Sequence, residues 1–205
     1  MRRSSDKIEV PAATTDRRTL IADVALRLLG QRGARGLTHR AVDREAGLPA
    51  GSTSYYCRKR HDLLALAFRR HAELDYEEIA LQASRHAGKA LSLEVVADVM
   101  ASQIERRSRL KYPYQLIARF EIVLAASRDP SLAAVTAQSR KRFVATLHEA
   151  LRMLNLPDPA NLAAALIAFT EGLLLDQARA GKPVLRARPL RRTLLAILQS
   201  SGKVE

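Results

Sequence analysis

From residue 16 onward the apolar residues of this chain recur three and four positions apart, and no run alternates between apolar and polar. That periodicity constrains the fold most. Spacing of three and four stacks side chains on one face of a helix, whereas a half-buried strand needs alternation. Helix punctuation accompanies the pattern. Asp16 opens a stretch to Arg32, with Leu20, Ile21, Val24, Ala25, Leu28 and Leu29 on one face, and Gly33 and Gly36 break it. Thr38 caps a second helix over 39–46, and Gly47 follows where a left-handed closing turn is favoured. Leu48-Pro49 opens a short third helix over 50–56, and Arg60-His61-Asp62 leads into a longer fourth. Ser92, Pro113, Asp129-Pro130 and Pro157-Asp158-Pro159 each open a further helix, the last of these ending near Gly181; Arg188-Pro189 opens a final one over 189–200. The expected fold class is all-α, a three-helix N-terminal head followed by a C-terminal helical bundle.

The stretch from Gly36 to Leu64 is the most informative. Two short helices flank a tight turn at Ala46-Gly47-Leu48-Pro49, the grammar of a helix-turn-helix, whose second helix enters the major groove of DNA. With Thr53 and Cys57 facing inward, four residues apart, Gly51, Ser52 and Tyr55 face outward, flanked by Ser54 and Tyr56. Small residues let a backbone approach DNA, and hydroxyls donate to phosphate oxygens. Arg40 before the turn and Arg58, Lys59 and Arg60 after it supply charge for phosphates, and His39 lies where it could reach one. The competing reading of Tyr55 and Tyr56 makes them core residues with satisfied hydroxyls. The formal net charge of +13 suits a polyanion or an anionic membrane and does not choose between them.

Other classes find less support. The sequence has no uninterrupted apolar run of membrane length, and Met1-Arg2-Arg3-Ser4-Ser5-Asp6-Lys7 does not read as a secretory signal. Cys57 is the only cysteine, so no intrachain disulfide forms, which fits a cytoplasmic location; it reads as a small buried hydrophobe rather than a redox sensor. The five histidines lack metal-ligand spacing, and neither a phosphate loop nor a nucleophile motif is present. No metal, cofactor or catalytic residue is expected.

Gly36-Leu37-Thr38, Ala46-Gly47-Leu48, Gly51-Ser52, Tyr55-Tyr56 and the basic residues before Leu63-Leu64 together resemble the signature of the tetracycline-repressor (TetR) family, ungapped over about residues 17 to 68. Ser54 stands where a tyrosine is usual, Cys57 where a bulky apolar residue is usual, and Pro49 where a capping serine is common. The resemblance implies an all-helical homodimer acting as a transcriptional repressor, released from a palindromic double-stranded operator by a small-molecule effector. It implies DNA contacts from Arg40, Ser52, Tyr55, Tyr56 and Arg60, to which the outward-facing reading adds Gly51 and Ser54. A domain division follows: a flexible basic arm at 1–15, a DNA-binding head at 16–60, and a ligand-binding and dimerisation body at 61–205.

In the body, Glu121 sits among Ile117, Leu124 and Ala125, where a carboxylate must be exposed, paired or used. Met100, Gln103, Phe120, Glu121 and Phe169 are candidate effector-pocket residues, with Tyr112 and Tyr114 beside them; a salt bridge to another helix is the other account of Glu121. The helix ending near Gly181 is apolar nearly all round and the final helix carries a similar apolar stripe, so Leu166, Phe169, Leu173, Leu190, Leu194 and Leu198 are the expected dimer interface; the competing reading makes both helices core of a single chain. Two alternatives remain at this point, a helical enzyme with an acidic substrate and a basic peripheral membrane protein.

Overall fold

The computed structural model describes residues 17–108, 113–182 and 186–201. The expected arm at 1–15, the Asp16 cap and Tyr112 lie outside the described residues.

The first helix, α1 (Arg17–Gly36), buries Ile21, Val24, Ala25, Leu28 and Leu29 of the stripe expected from the sequence and leaves Leu20 half-buried. Gly33 (φ 66°, ψ 178°) interrupts it before a last turn to Gly36. The left-handed φ is costly for any residue with a Cβ. The next helix, α2 (His39–Ala46), is capped by Thr38, whose Oγ1 accepts from the Ala41 N–H at 3.2 Å, and ends at a left-handed Gly47. Beyond the turn, α3 (Ser52–Tyr56) starts two residues later than its sequence reading. Then α4 (Arg60–Ser84) runs for 25 residues, about 37 Å at the helical rise.

The body comprises α5 (Leu93–Ser108), α6 (Pro113–Ala126), α7 (Pro130–Met153), α8 (Pro159–Ala180) and α9 (Ala187–Ser201). Asp129 caps α7 by accepting from the Ser131 and Leu132 N–H groups at 2.9 and 3.2 Å. Among the described residues there are nine helices and no strand.

Two apolar cores hold these elements. The first joins α1, α2, Cys57 just past α3, and α4 to Ala118, Ile122 and Ala126 of α6 and Leu132 of α7. It therefore crosses the division expected at residue 60, because Leu63, Leu64, Ala67 and Phe68 on the first turns of α4 belong to the head's core. The second is built from α5, α7, α8 and α9, with Leu116 of α6. Close approach of α6 to α1 depends on Gly30, where a Cβ would stand 1.9 Å from the Tyr114 carbonyl oxygen. The two helices touch backbone to side-chain position, and any larger residue would separate them.

Among the described residues α8 alone has the length and apolarity of a membrane span, at 22 residues, although no uninterrupted apolar run marks it in the sequence. It packs as the outer wall of the second core through Ala163, Leu166 and Leu174.

Candidate nucleic-acid interface and effector cavity

The turn between α2 and α3 is held by side chains of α2. Asp43 is buried, and its Oδ1 accepts from the Thr53 N–H and hydroxyl at 2.8 and 2.6 Å while Oδ2 accepts from the Gly51 N–H at 2.8 Å. These satisfy donors that a short helix leaves open at its N-terminus. Burial works against the Asp43 charge, but the Thr53 and Gly51 hydrogen bonds and nearby His39 hold its carboxyl below the ordinary aspartate pKa. One turn earlier on the same face of α2, His39 Nε2 lies 2.6 Å from the Cys57 carbonyl oxygen at the other end of α3. Residues four apart on one helix thus grip both ends of the next. His39 is engaged inside the head and not turned toward a phosphate. The role of Asp43 was missed in the sequence; its only signal is the i,i+4 pairing of two polar residues on the side facing the turn.

Thr53 is fully covered and Cys57 nearly so, as their inward-facing assignment expects. Burial pushes the Cys57 thiol pKa up, which suits a core residue and not a reactive thiolate. The opposite face is open. Tyr55 is 83% exposed and Tyr56 39%, their rings meeting edge to face at 5.2 Å. The alternative that buried both tyrosines fails for Tyr55. Ser54, Gly51 and Arg40 are exposed, and Arg58 and Lys59 follow on the same surface. Ser52 departs from expectation: its hydroxyl donates to the Pro49 carbonyl at 2.7 Å and keeps only acceptor capacity for another partner. Arg60, also expected at phosphate, donates to the Ala34 carbonyl at the end of α1.

The Ala34 peptide joins head to body. Its N–H donates to Glu121 Oε2 of α6 at 3.0 Å. The carboxylate lies beside Gly33, 3.4 Å from where a Cβ would stand. Glu121 is thus engaged at the α1 break, and among the described residues its partner is a backbone N–H and not the cation of a salt bridge.

A cavity of about 370 Å³ lies between α4, α5, α7 and α8. Met100 and Gln103, two of the candidate pocket residues, line it. Phe120 and Phe169 pack instead on the second core, and the backbone of Tyr114 abuts Gly30. The sequence reading missed Val99, Phe143, Leu147 and Ile167, and the polar His86, Lys89 and Thr170. They come from distant segments, so no local spacing announces them. Phe143 is positioned by a parallel stack on Tyr76 at 4.3 Å.

Beside the cavity, buried Asp75 of α4 gathers basic side chains from three helices. Its Oδ1 pairs with Arg107 at 2.8 Å, its Oδ2 stands 3.2 Å from His71 Nδ1, and Arg119 lies at 3.8 Å. Burial opposes the charge, but Arg107, His71 and Arg119 hold the carboxyl far below the ordinary range. Arg119 also meets Glu171 at 3.1 Å.

The expected dimer leucines are mostly spoken for. Leu166, Leu190, Leu194 and Leu198 are covered to within 1% by their own chain, while Phe169 and Leu173 are half-buried against the same cluster. Side chains already enclosed offer no surface to a second copy. The open face of α8 carries Ala165, Ala168, Gly172 and Leu175, three or four apart.

Residues 91–200 match the family pattern described as Tetracyclin repressor-like, C-terminal domain. No curated protein matches the sequence. A TetR-family structure from Streptomyces coelicolor A3 is 27% identical at a TM-score of 0.71, over 89% of this chain and 98% of that one. The multidrug binding protein EbrR, solved with ethidium, is 28% identical at a TM-score of 0.69, over 89% and 98%. A transcriptional regulator from Rhodococcus sp. Rha1 shares the fold at a TM-score of 0.75 and 18% identity, over 92% and 99%. The family pattern spans more than half of the chain, and the same architecture extends it across the head: the chain belongs to the TetR family of DNA-binding transcriptional regulators, and is a regulator rather than an enzyme.

Proposed function

We propose that two copies of this chain bind a two-fold symmetric operator as a repressor in the cytoplasm, and that a small molecule entering the cavity between α4, α5, α7 and α8 releases them. The observation that carries the reading is the recognition helix. Asp43 and His39 fix α3 at both ends, and the fixed helix turns Tyr55, Ser54 and Tyr56 to solvent beside a basic surface. A rigid helix with exposed hydroxyls and aromatic rings suits groove reading. Arg40, Gly51, Ser52 and Arg60 complete the proposed contact surface. Ser52 would take part through its acceptor lone pairs or by giving up Pro49, and Arg60 has further N–H donors beyond the one on Ala34.

One short helix reads few base pairs, so selectivity requires a pair. The open stripe of Ala165, Ala168 and Gly172 supports dimerisation through α8: small residues let two helices approach closely, and nothing lies within 4 Å of the Gly172 position. Release has a physical route. Ile79 and Ala83 at one end of α4 line the cavity, and Leu63, Leu64 and Phe68 at the other end belong to the head's core. A ligand shifts the balance only by binding one arrangement of α4 better than the other. EbrR, solved with ethidium and with malachite green, supports a small-molecule effector for the same architecture.

Fluorescence anisotropy with duplex DNA across a salt series tests the DNA reading. Binding should weaken steeply as salt rises. Arg40→Ala should weaken binding to all sequences alike and lower the log–log salt slope by about one. Tyr55→Ala should change sequence preference as well as affinity. A wild-type protein that binds no duplex DNA, or an Arg40→Ala slope equal to wild type, contradicts the assignment.

A further inference from the structure

The polar groups around the cavity restrict what chemistry can occupy it. Its body is apolar, formed by Val96, Val99, Met100, Phe143, Leu147 and Ile167. Its polar side chains are His86, Lys89, Gln103, Arg107, Thr146 and Thr170, with no aspartate or glutamate among the described lining residues. Two of the polar atoms, Gln103 Nε2 and His86 Nδ1, are buried with no hydrogen-bond partner among the described residues. A buried donor left unpaired is a standing cost that a bound acceptor removes. The nearby carboxylates are already engaged: Asp75 pairs with Arg107 at 2.8 Å, and Glu78 pairs with Arg106 at 2.7 Å and accepts from Gln82 at 2.6 Å. Lys89 stands exposed on the turn between α4 and α5 and adds a positive charge at the rim. A cationic ligand entering here would meet donors and positive charge with no carboxylate to receive it. A neutral apolar ligand would leave Gln103 and His86 unsatisfied.

We propose that the effector is an amphipathic acid: an apolar body that fills the cavity and a single anionic head that accepts from Gln103, His86 and Lys89. The inference rests on the effector reading of this cavity. Charge-assisted hydrogen bonds are about twice as strong as neutral ones, which gives the head group its leverage over affinity. The cavity is at the small end of the range for drug-sized ligands, which suits a medium-length alkyl chain or a compact ring system.

The test is isothermal titration of the full chain with three probes that share one alkyl body: decanoate, decanol and decylamine, each below its micelle concentration. Decanoate should bind about tenfold tighter than decanol, the equivalent of one charge-assisted hydrogen bond, and decylamine should bind weakest. Lys89→Glu, at an exposed position that leaves the core untouched, should lower decanoate affinity and raise that of decylamine. Gln103→Leu, checked for folding by its circular-dichroism melt, should narrow the gap between decanoate and decanol. Equal affinity for all three, or a preference for decylamine, overturns the head-group inference and leaves the cavity as an effector site. Binding by none of them, or binding that survives filling the cavity with Leu147→Trp, overturns the cavity reading together with the inference.

Discussion

Asp43 and Asp75 are both buried, and both carboxyls sit below the ordinary aspartate pKa for different reasons. Asp43 is held by hydrogen bonds that organise a turn. Asp75 is held by cations that tie α4 to α5 and α6. Removing Asp75 would leave Arg107 and buried Arg119 facing each other without their shared anion. Asp75→Ala should therefore cost about 3–5 kcal/mol at neutral pH, the usual penalty for orphaning a buried charge. The pH dependence follows from the depressed pKa. Stability from ionised Asp75 is fully present above the unfolded value of about 3.9 and is lost as pH falls through the lower folded value. Urea unfolding of wild type and variant should show a difference that is largest near neutrality and shrinks in acid. A difference independent of pH would mean that the aspartate acts through packing and not through charge. Neither role is visible in the sequence. Asp43 looks like an ordinary polar position on a short helix, and the two arginine partners of Asp75 lie 32 and 44 positions away. Thr53 and Cys57 were legible because their i,i+4 spacing by itself assigns one face of α3 to the interior.

At the scale of elements the helices were legible almost throughout, because helices such as α2, α7 and α8 are opened by a capping residue or proline and most carry their own apolar stripe. The use of each stripe was not. Leucines on α8 and α9 looked available to a partner, yet Leu166, Leu190, Leu194 and Leu198 fill the chain's own second core. What remains outside on α8 is Leu175 and the small-residue stripe of Ala165, Ala168 and Gly172, which hydrophobicity alone ranks low. The two groups separate in their response to charge. Ala168→Glu, on the exposed face, should give a folded monomer by analytical ultracentrifugation with a melting profile close to wild type, and lose tight operator binding although every DNA-contacting residue remains. Leu194→Glu, fully enclosed, should unfold the body, since burying an unpaired carboxylate is prohibitive. A dimeric Ala168→Glu protein would move the interface off this face of α8. The α1–α6 joint was equally hidden: Gly33 was expected to break α1, but nothing local says that Glu121 from the body would bond the next peptide.

Across the whole molecule, head and body are not separate modules. The first core runs from α1 into α6 and α7, and α4 reaches from the basic end of the recognition helix to the cavity wall. That continuity is what a ligand-controlled DNA switch requires, because an effector at one end of a stiff helix then has something to move at the other. The formal charge of +13 provides general attraction to DNA, while in the proposed reading specificity comes from paired recognition helices. Selection of bound duplexes from a random pool by the purified protein measures that claim directly. The account predicts enrichment of a two-fold symmetric site whose half-sites lie about one helical turn or more apart. Recovery of a single unsymmetrical site, or no enrichment over the starting pool, would contradict it.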